Sequence, residues 1–166
     1  MQVLVAHGSK RGGTAGVAEM IGEELESAGV QAAVMPAREV KSIDDFDAVV
    51  LAGALYAYRW HRDARRFAKR FAPGLRQRPV WFVSSGPLDD SATTKEIPPV
   101  KQVASAMASI SARGHLTIGG RLEPDAKGFP ASAMAKKSSG DWRDRDQVHR
   151  WTASIVADLE HSEEIS

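Results

Sequence analysis

Apolar residues along this chain fall into two alternating patterns. Nearly unbroken apolar runs lie at 2–6 (QVLVA), 30–35, 48–53 (AVVLAG), 80–84 (VWFVS) and 115–119 (HLTIG), each too short for a stable helix. Between them the period lengthens. Val17, Ile21, Leu25 and Ala28 recur at three-to-four spacing, and similar stripes predict helices over 14–28, 61–72, 99–112 and 142–160. The last carries Val148, Trp151, Ile155 and Leu159, with Asp141 offered as its N-cap. Segment 38–45 leaves room for only a short helix, and 86–98 and 123–140 read as loops rich in small and polar residues. Continuous rather than alternating apolar strands are those covered on both faces, so the pattern predicts a parallel sheet wrapped by helices.

Composition narrows this to one domain. With 166 residues, 43% of them hydrophobic, the chain can bury a full core but not two comfortable ones. It has no cysteine, which excludes disulfides, thiol chemistry and cysteine-ligated clusters. The first residues lack a charged leader, and no run approaches the roughly 18 to 20 apolar residues that cross a bilayer. A cytoplasmic protein is expected, with peripheral membrane contact at most and no nucleic-acid partner. The formal charge of +1 hides an uneven distribution: segment 58–78 holds eight Arg or Lys against Asp63 alone, whereas the C-terminal end is acidic. That basic segment is either a solvated outer face of a helix whose buried side is Phe67, Ala68 and Phe71, or a guide for an anionic partner.

In an open α/β sheet, ligands sit beyond the carboxyl ends of the strands. The loops after strands one, three and four, GSKRGGT, GALYAYRWH and SSGPLDDS, should therefore converge on one site. The first joins a buried strand to a helix start, where backbone N–H groups and the positive helix end favour an anion. Two nucleotide motifs are absent from it. Thr14 stands where a Walker A lysine must be, and Ser9 and Lys10 following Gly8 break the G-x-G-x-x-G fingerprint. A hydroxyl-bearing turn remains, Ser9 and Thr14 flanking Gly12 and Gly13. It suits a single phosphate, or else is a plain glycine turn with Thr14 as a helix cap.

SKRGGT resembles the flavodoxin phosphate loop, [ST]-x-[ST]-G-x-[ST], which wraps the phosphate of flavin mononucleotide (FMN). Ser9, Gly12 and Thr14 match, while Arg11 replaces the middle hydroxyl with a cation able to make a charge-assisted bond. DFDAVVLAGALYAYRWH is similar to the flavodoxin third strand and its aromatic-bearing loop. LYAYRWHRDARRF, PVWFVSSGPL, GGRL and GDWRDRDQVHRW further resemble the branch of flavodoxin-domain proteins that includes menaquinone-dependent protoporphyrinogen dehydrogenases. The resemblance implies a flavodoxin-like three-layer α/β sandwich, with five parallel strands in order 2-1-3-4-5, and non-covalent FMN. It implies FMN contacts from Ser9, Lys10, Arg11, Gly12, Gly13 and Thr14, from Ala54, Leu55, Tyr56, Ala57, Tyr58 and Trp60, and from Ser85, Gly86, Pro87 and Leu88. Arg59 and Arg62 would then attract an anionic substrate such as a tetrapyrrole, with a quinone or a redox protein as the electron partner.

Three functional classes stay open at this point: an FMN-dependent oxidoreductase, a non-enzymatic electron carrier, and a flavodoxin-shaped binding domain without flavin. Tyr56, Tyr58 and Trp60 can stack on a flat ring, but their alternate spacing also lets one of them pack on the neighbouring helix. Trp81, inside a strand, and Trp151, on a helix stripe, are core residues. Asp89 and Asp90 either meet the flavin edge or are solvated. The five His residues show no metal spacing, and FVSSGP lacks the first glycine of a nucleophile elbow, so neither a metal enzyme nor a serine hydrolase is expected.

Overall fold

The computed structural model describes residues 1–10, 12–86, 91–122, 140–141 and 143–165. Its frame is a parallel sheet of β1 (Gln2–Gly8), β2 (Gln31–Pro36), β3 (Ala48–Tyr56), β5 (Val80–Ser85) and β6 (Gly114–Ile118), in the order β2-β1-β3-β5-β6. Counted as parallel strands alone, this is the expected 2-1-3-4-5 arrangement. A sixth, two-residue strand, β4 (Arg59–Trp60), runs antiparallel to the end of β3. β7 (Arg121–Leu122) and β8 (Gly140–Asp141) form a separate two-stranded ribbon.

The two faces of the sheet sort residues by parity, as a period of two requires. Val3 and Val5 of β1, Val50 and Ala52 of β3 and Val83 of β5 face one core. There they meet Val17, Ile21 and Leu25 of α1 (Gly13–Ser27) and Val148, Ile155 and Leu159 of α6 (Arg145–Ile165). Leu4, Ala6, Leu51 and Phe82 point the other way. They pack on Phe67 of α2 (Arg62–Arg70), Leu75 of α3 (Ala72–Leu75) and Val103 and Ile110 of α5 (Lys101–Ile110). Each fully buried side chain of this size contributes about 1.5–3 kcal/mol, so both faces stabilise the sheet.

Several sequence-based boundaries change. The helix expected over 61–72 breaks after Arg70, and α3 resumes from Ala72 with Pro73 in its first turn. The segment after β2 forms a single 3-10 turn, Ala37–Glu39. A short α4 (Ser91–Thr94) interrupts the expected loop 86–98. Asp141 does not cap the last helix. Its carboxylate holds Arg143, and Asp144 takes the capping role, its Oδ1 accepting from the Asp146 N–H at 2.9 Å. No described helix is long and apolar enough to cross a membrane.

Candidate functional site

The carboxyl ends of three strands lie in one row. Gly8 of β1 pairs in register with Gly53 of β3, and Gly53 with Ser84 of β5. Two of these positions are tight. A Cβ on Gly8 would meet the Ala64 backbone nitrogen at 2.8 Å, and one on Gly53 would meet the Trp60 indole at 2.6 Å. The loops that follow therefore start from one edge, as expected.

Gly12 is the N-cap of α1, at φ 76°, a left-handed conformation that glycine adopts without steric cost. The Gly12 N-cap brings no side chain to cap this helix and its first turn has no acid, so among the described residues the first amides of α1, which have no intrahelical acceptor, have no side-chain cap from that position. The Thr14 cap reading is thereby set aside: Thr14 lies within the helix and is only 2% exposed. Gly13 is also buried, Ser9 half-buried and Lys10 exposed. Arg11 lies outside the described residues.

A second helix start abuts this turn. The His61 Nδ1 accepts from the Asp63 N–H at 3.2 Å and caps α2, while the His61 N–H bonds the Ala54 carbonyl at 2.8 Å. Burial lowers the His61 pKa; Asp63 opposes this, and Arg62, Lys10 and Arg65 add to it. The ring thus stays neutral, as its acceptor role at Nδ1 requires. His7, at the end of β1, is likewise lowered by burial, against Glu19 and Glu39 and with Arg38.

After β3 the chain turns back as a two-residue hairpin, Tyr56 pairing with Arg59 and Leu55 with Trp60. Ala54, Leu55 and Tyr56 therefore belong to the strand rather than to a loop. Ala57 and Tyr58 have φ values of 47° and 62°. Tight hairpins need left-handed residues at both positions, and glycine or asparagine normally supplies them. Here an alanine and a tyrosine do, and Tyr58 is 84% exposed at the tip.

Trp60 corrects the sequence reading. Its indole is 2% exposed, lies over Gly53 and meets the Phe82 ring at 4.7 Å between centroids, so it is core and cannot cover a ligand. Its backbone N–H is bonded by the Gln102 side chain at 3.0 Å, which ties the hairpin to α5. Tyr56 and Tyr58 are left as the aromatic candidates. On the opposite side of the edge, a Cβ on Gly86 would come within 3.0 Å of the Leu55 Cβ, so the ends of β5 and β3 approach closely. Ser85 is buried, and Pro87, Leu88, Asp89 and Asp90 lie outside the described residues.

The basic segment divides into two groups. Arg65 bonds the Trp60 carbonyl at 3.0 Å, Arg76 the Ser109 carbonyl at 2.8 Å, and Arg78 the carbonyls of Gly74, Ile43 and Phe46. These cations tie loops together. Arg59, Arg62, Arg66 and Lys69 are exposed instead, Arg62 reaching only the edge of Asp63 at 3.9 Å. Sequence reasoning missed one further cation. Arg143 is held by Asp141 at 2.7 Å and lies against the first turn of α1, over Gly16 and 3.4 Å from the Gly13 carbonyl. That contact spans 130 positions of the chain, so no local pattern marks it.

Comparison with known proteins agrees with this architecture. Similar solved structures include a cysteine-to-serine mutant of flavodoxin from Pseudomonas aeruginosa, 16% identical at a TM-score of 0.61, with 96% of this chain and 99% of that one covered. The Streptococcus pneumonia TIGR4 flavodoxin is 15% identical at a TM-score of 0.63, covering 95% and 99%. Oxidised Flavodoxin 1 from Bacillus cereus is 13% identical at 0.63, covering 95% and 98%. Such distant likeness speaks for the fold alone. Among curated proteins none matches. The family model described as Flavodoxin domain matches residues 4–129, most of the chain, and with the strand order and the glycine turn in place the chain belongs to the flavodoxin-domain family.

Proposed function

We propose that the protein binds FMN at the carboxyl edge of the sheet and works as a cytoplasmic FMN-dependent oxidoreductase on an anionic aromatic substrate. Protoporphyrinogen IX is the concrete candidate, with a quinone such as menaquinone taking the electrons. The observation that carries the flavin reading is the start of α1 behind Gly12: among the described residues it has no side-chain cap at its N-cap and no acid in its first turn, which fits a dianionic phosphate. Ser9, Lys10, Gly12, Gly13 and Thr14 would hold that phosphate, with Lys10 the exposed cation beside it. Leu55, Tyr56 and the Ala57–Tyr58 turn would line one side of the ring and Ser85 and Gly86 the other. FMN, when bound, supplies reversible hydride and single-electron transfer.

The chain's own part is to bind, orient and attract. Arg59 and Arg62 follow directly on the hairpin tip, and their long cationic side chains draw carboxylates toward the edge. The same feature weighs against the second reading, an electron carrier, because flavodoxin carriers as a class are acidic and dock on basic partners.

Two measurements test this. Purified protein titrated with FMN and with riboflavin should favour FMN at least 100-fold, since several charge-assisted bonds of roughly 1.5–3 kcal/mol each depend on the phosphate. Equal affinity removes the phosphate assignment. Anaerobic mixing of the FMN-loaded protein with protoporphyrinogen should reduce the flavin, and a menaquinone analogue should re-oxidise it. A flavin that stays oxidised with the porphyrinogen yet is reduced by a reductase overturns the enzyme reading in favour of the carrier.

A further inference from the structure

A cleft of about 410 Å³ lies between α2 and the 3-10 turn Ala37–Glu39. Its size is within the range of small-molecule sites. The base is apolar: Ala37 and Phe67 are buried, and the half-buried Phe71 meets Phe67 at 4.9 Å between ring centroids. The rim is cationic. Arg38 enters from the turn, and Arg66 and Lys69 from successive positions on one face of α2. All three are exposed, and no ion pair holds any of them among the described residues.

Two other charged groups line the cleft, and neither neutralises that rim. Arg70 leans over the Phe71 ring at 4.8 Å and toward the carbonyls of Val40 and Lys41 at 3.4 Å. Asp63, the one lining carboxylate among the described residues, sits at the helix start beside His61 and Arg62, at 3.9 Å from each. The rim thus offers three exposed cations beside an apolar base. An anion with an apolar body satisfies both layers at once.

We infer that this cleft, between α2 and the turn that follows β2, is a second binding site for a small aromatic molecule bearing a carboxylate, sulfonate or phosphate. The apolar body lies against the half-buried Phe71, which the buried Phe67 backs, and the acidic group meets Arg38, Arg66 and Lys69. The inference does not depend on flavin binding.

The test uses the full chain and three probes: 8-anilinonaphthalene-1-sulfonate, its uncharged relative N-phenyl-1-naphthylamine, and inorganic phosphate. Amide shifts in ¹⁵N–¹H spectra should move saturably with the sulfonate, clustered at 37–38 and 66–71. The uncharged relative and phosphate alone should each bind at least 10-fold more weakly, since each offers half of the match. A double change, Arg38→Gln with Lys69→Gln, should weaken the sulfonate at least 10-fold and leave the FMN titration unchanged. Arg66→Gln alone gives a second reading from a single exposed position. Shifts that cluster elsewhere, an uncharged probe or phosphate binding as well as the sulfonate, or variants of unaltered affinity each overturn the site.

Discussion

Replacing Tyr58 by Gly isolates the strain stored in the β3–β4 hairpin. The turn has only two residues between the paired Tyr56 and Arg59, and both adopt positive φ, 47° at Ala57 and 62° at Tyr58. An L-residue with a side chain loses roughly 1–2 kcal/mol in that conformation. Glycine removes this term but adds unfolded-chain entropy of about 0.4–1 kcal/mol. Little packing is lost, because Tyr58 is 84% exposed. The balance is a gain of about 0.5–1 kcal/mol, or about 1–4 °C in Tm for a chain of this length. Adding Ala57→Asn creates the Asn-Gly pair favoured in such turns and should raise stability again. Chemical denaturation of the flavin-free protein reads this directly, since no ligand then contributes. An unchanged or lower midpoint for Tyr58→Gly would refute the strain argument. A gain in stability accompanied by weaker FMN binding would show why the strained pair is tolerated: the turn aims an aromatic ring at the site, and stability is given up for that.

Three other outcomes follow from the packing. Gly53→Ala should cost about 1–3 kcal/mol in urea unfolding, because its Cβ would sit 2.6 Å from the buried Trp60 indole; a neutral effect would mean that Trp60 moves freely. His115 is pushed down to about 4 by burial and its Nε2 lies 2.8 Å from the buried Ser84 hydroxyl. The unfolded ring, near 6.5, takes up protons that the folded ring refuses, so stability is full above about pH 6.5 and is lost as pH falls toward 4. Between pH 7 and 5 the loss should be about 2 kcal/mol, and His115→Gln should flatten the curve; an identical slope in that variant would assign the effect to other groups. Gly16→Ala should change stability by less than about 1 kcal/mol, because the helix-propensity gain inside α1 offsets the displacement of the flexible Arg143 guanidinium that occupies the space of the new methyl group, and in an Arg143→Ala background the same change should stabilise by up to about 1 kcal/mol. Additive effects in that double-mutant cycle would argue against the contact.

Much of this molecule was legible before any coordinates. Strands and helices are local periodicities, so β1, β3 and β5 appear as apolar runs and α1 as a 3.6-residue stripe. Their alternation implied parallel pairing, which the register of β1 with both β2 and β3 bears out. The glycine turn was visible too, because left-handed backbone at Gly12 is a local demand that selects its own residue.

What only the tertiary structure decided are choices among residues of equal local character. Tyr56, Tyr58 and Trp60 are three aromatics at alternate positions; a Cβ-free Gly53 and the facing Phe82 put one of them in the core, and the turn leaves another in water. The basic segment likewise reads as one charged run. Its cations separate into loop ties and exposed charges only when distant carbonyls, such as those of Ser109 and Phe46, are brought beside them. Arg143 reaches the start of α1 by the same route. Short-range sterics and hydrophobic period are written in neighbouring residues, whereas burial and partner choice depend on which surfaces the folded sheet brings together.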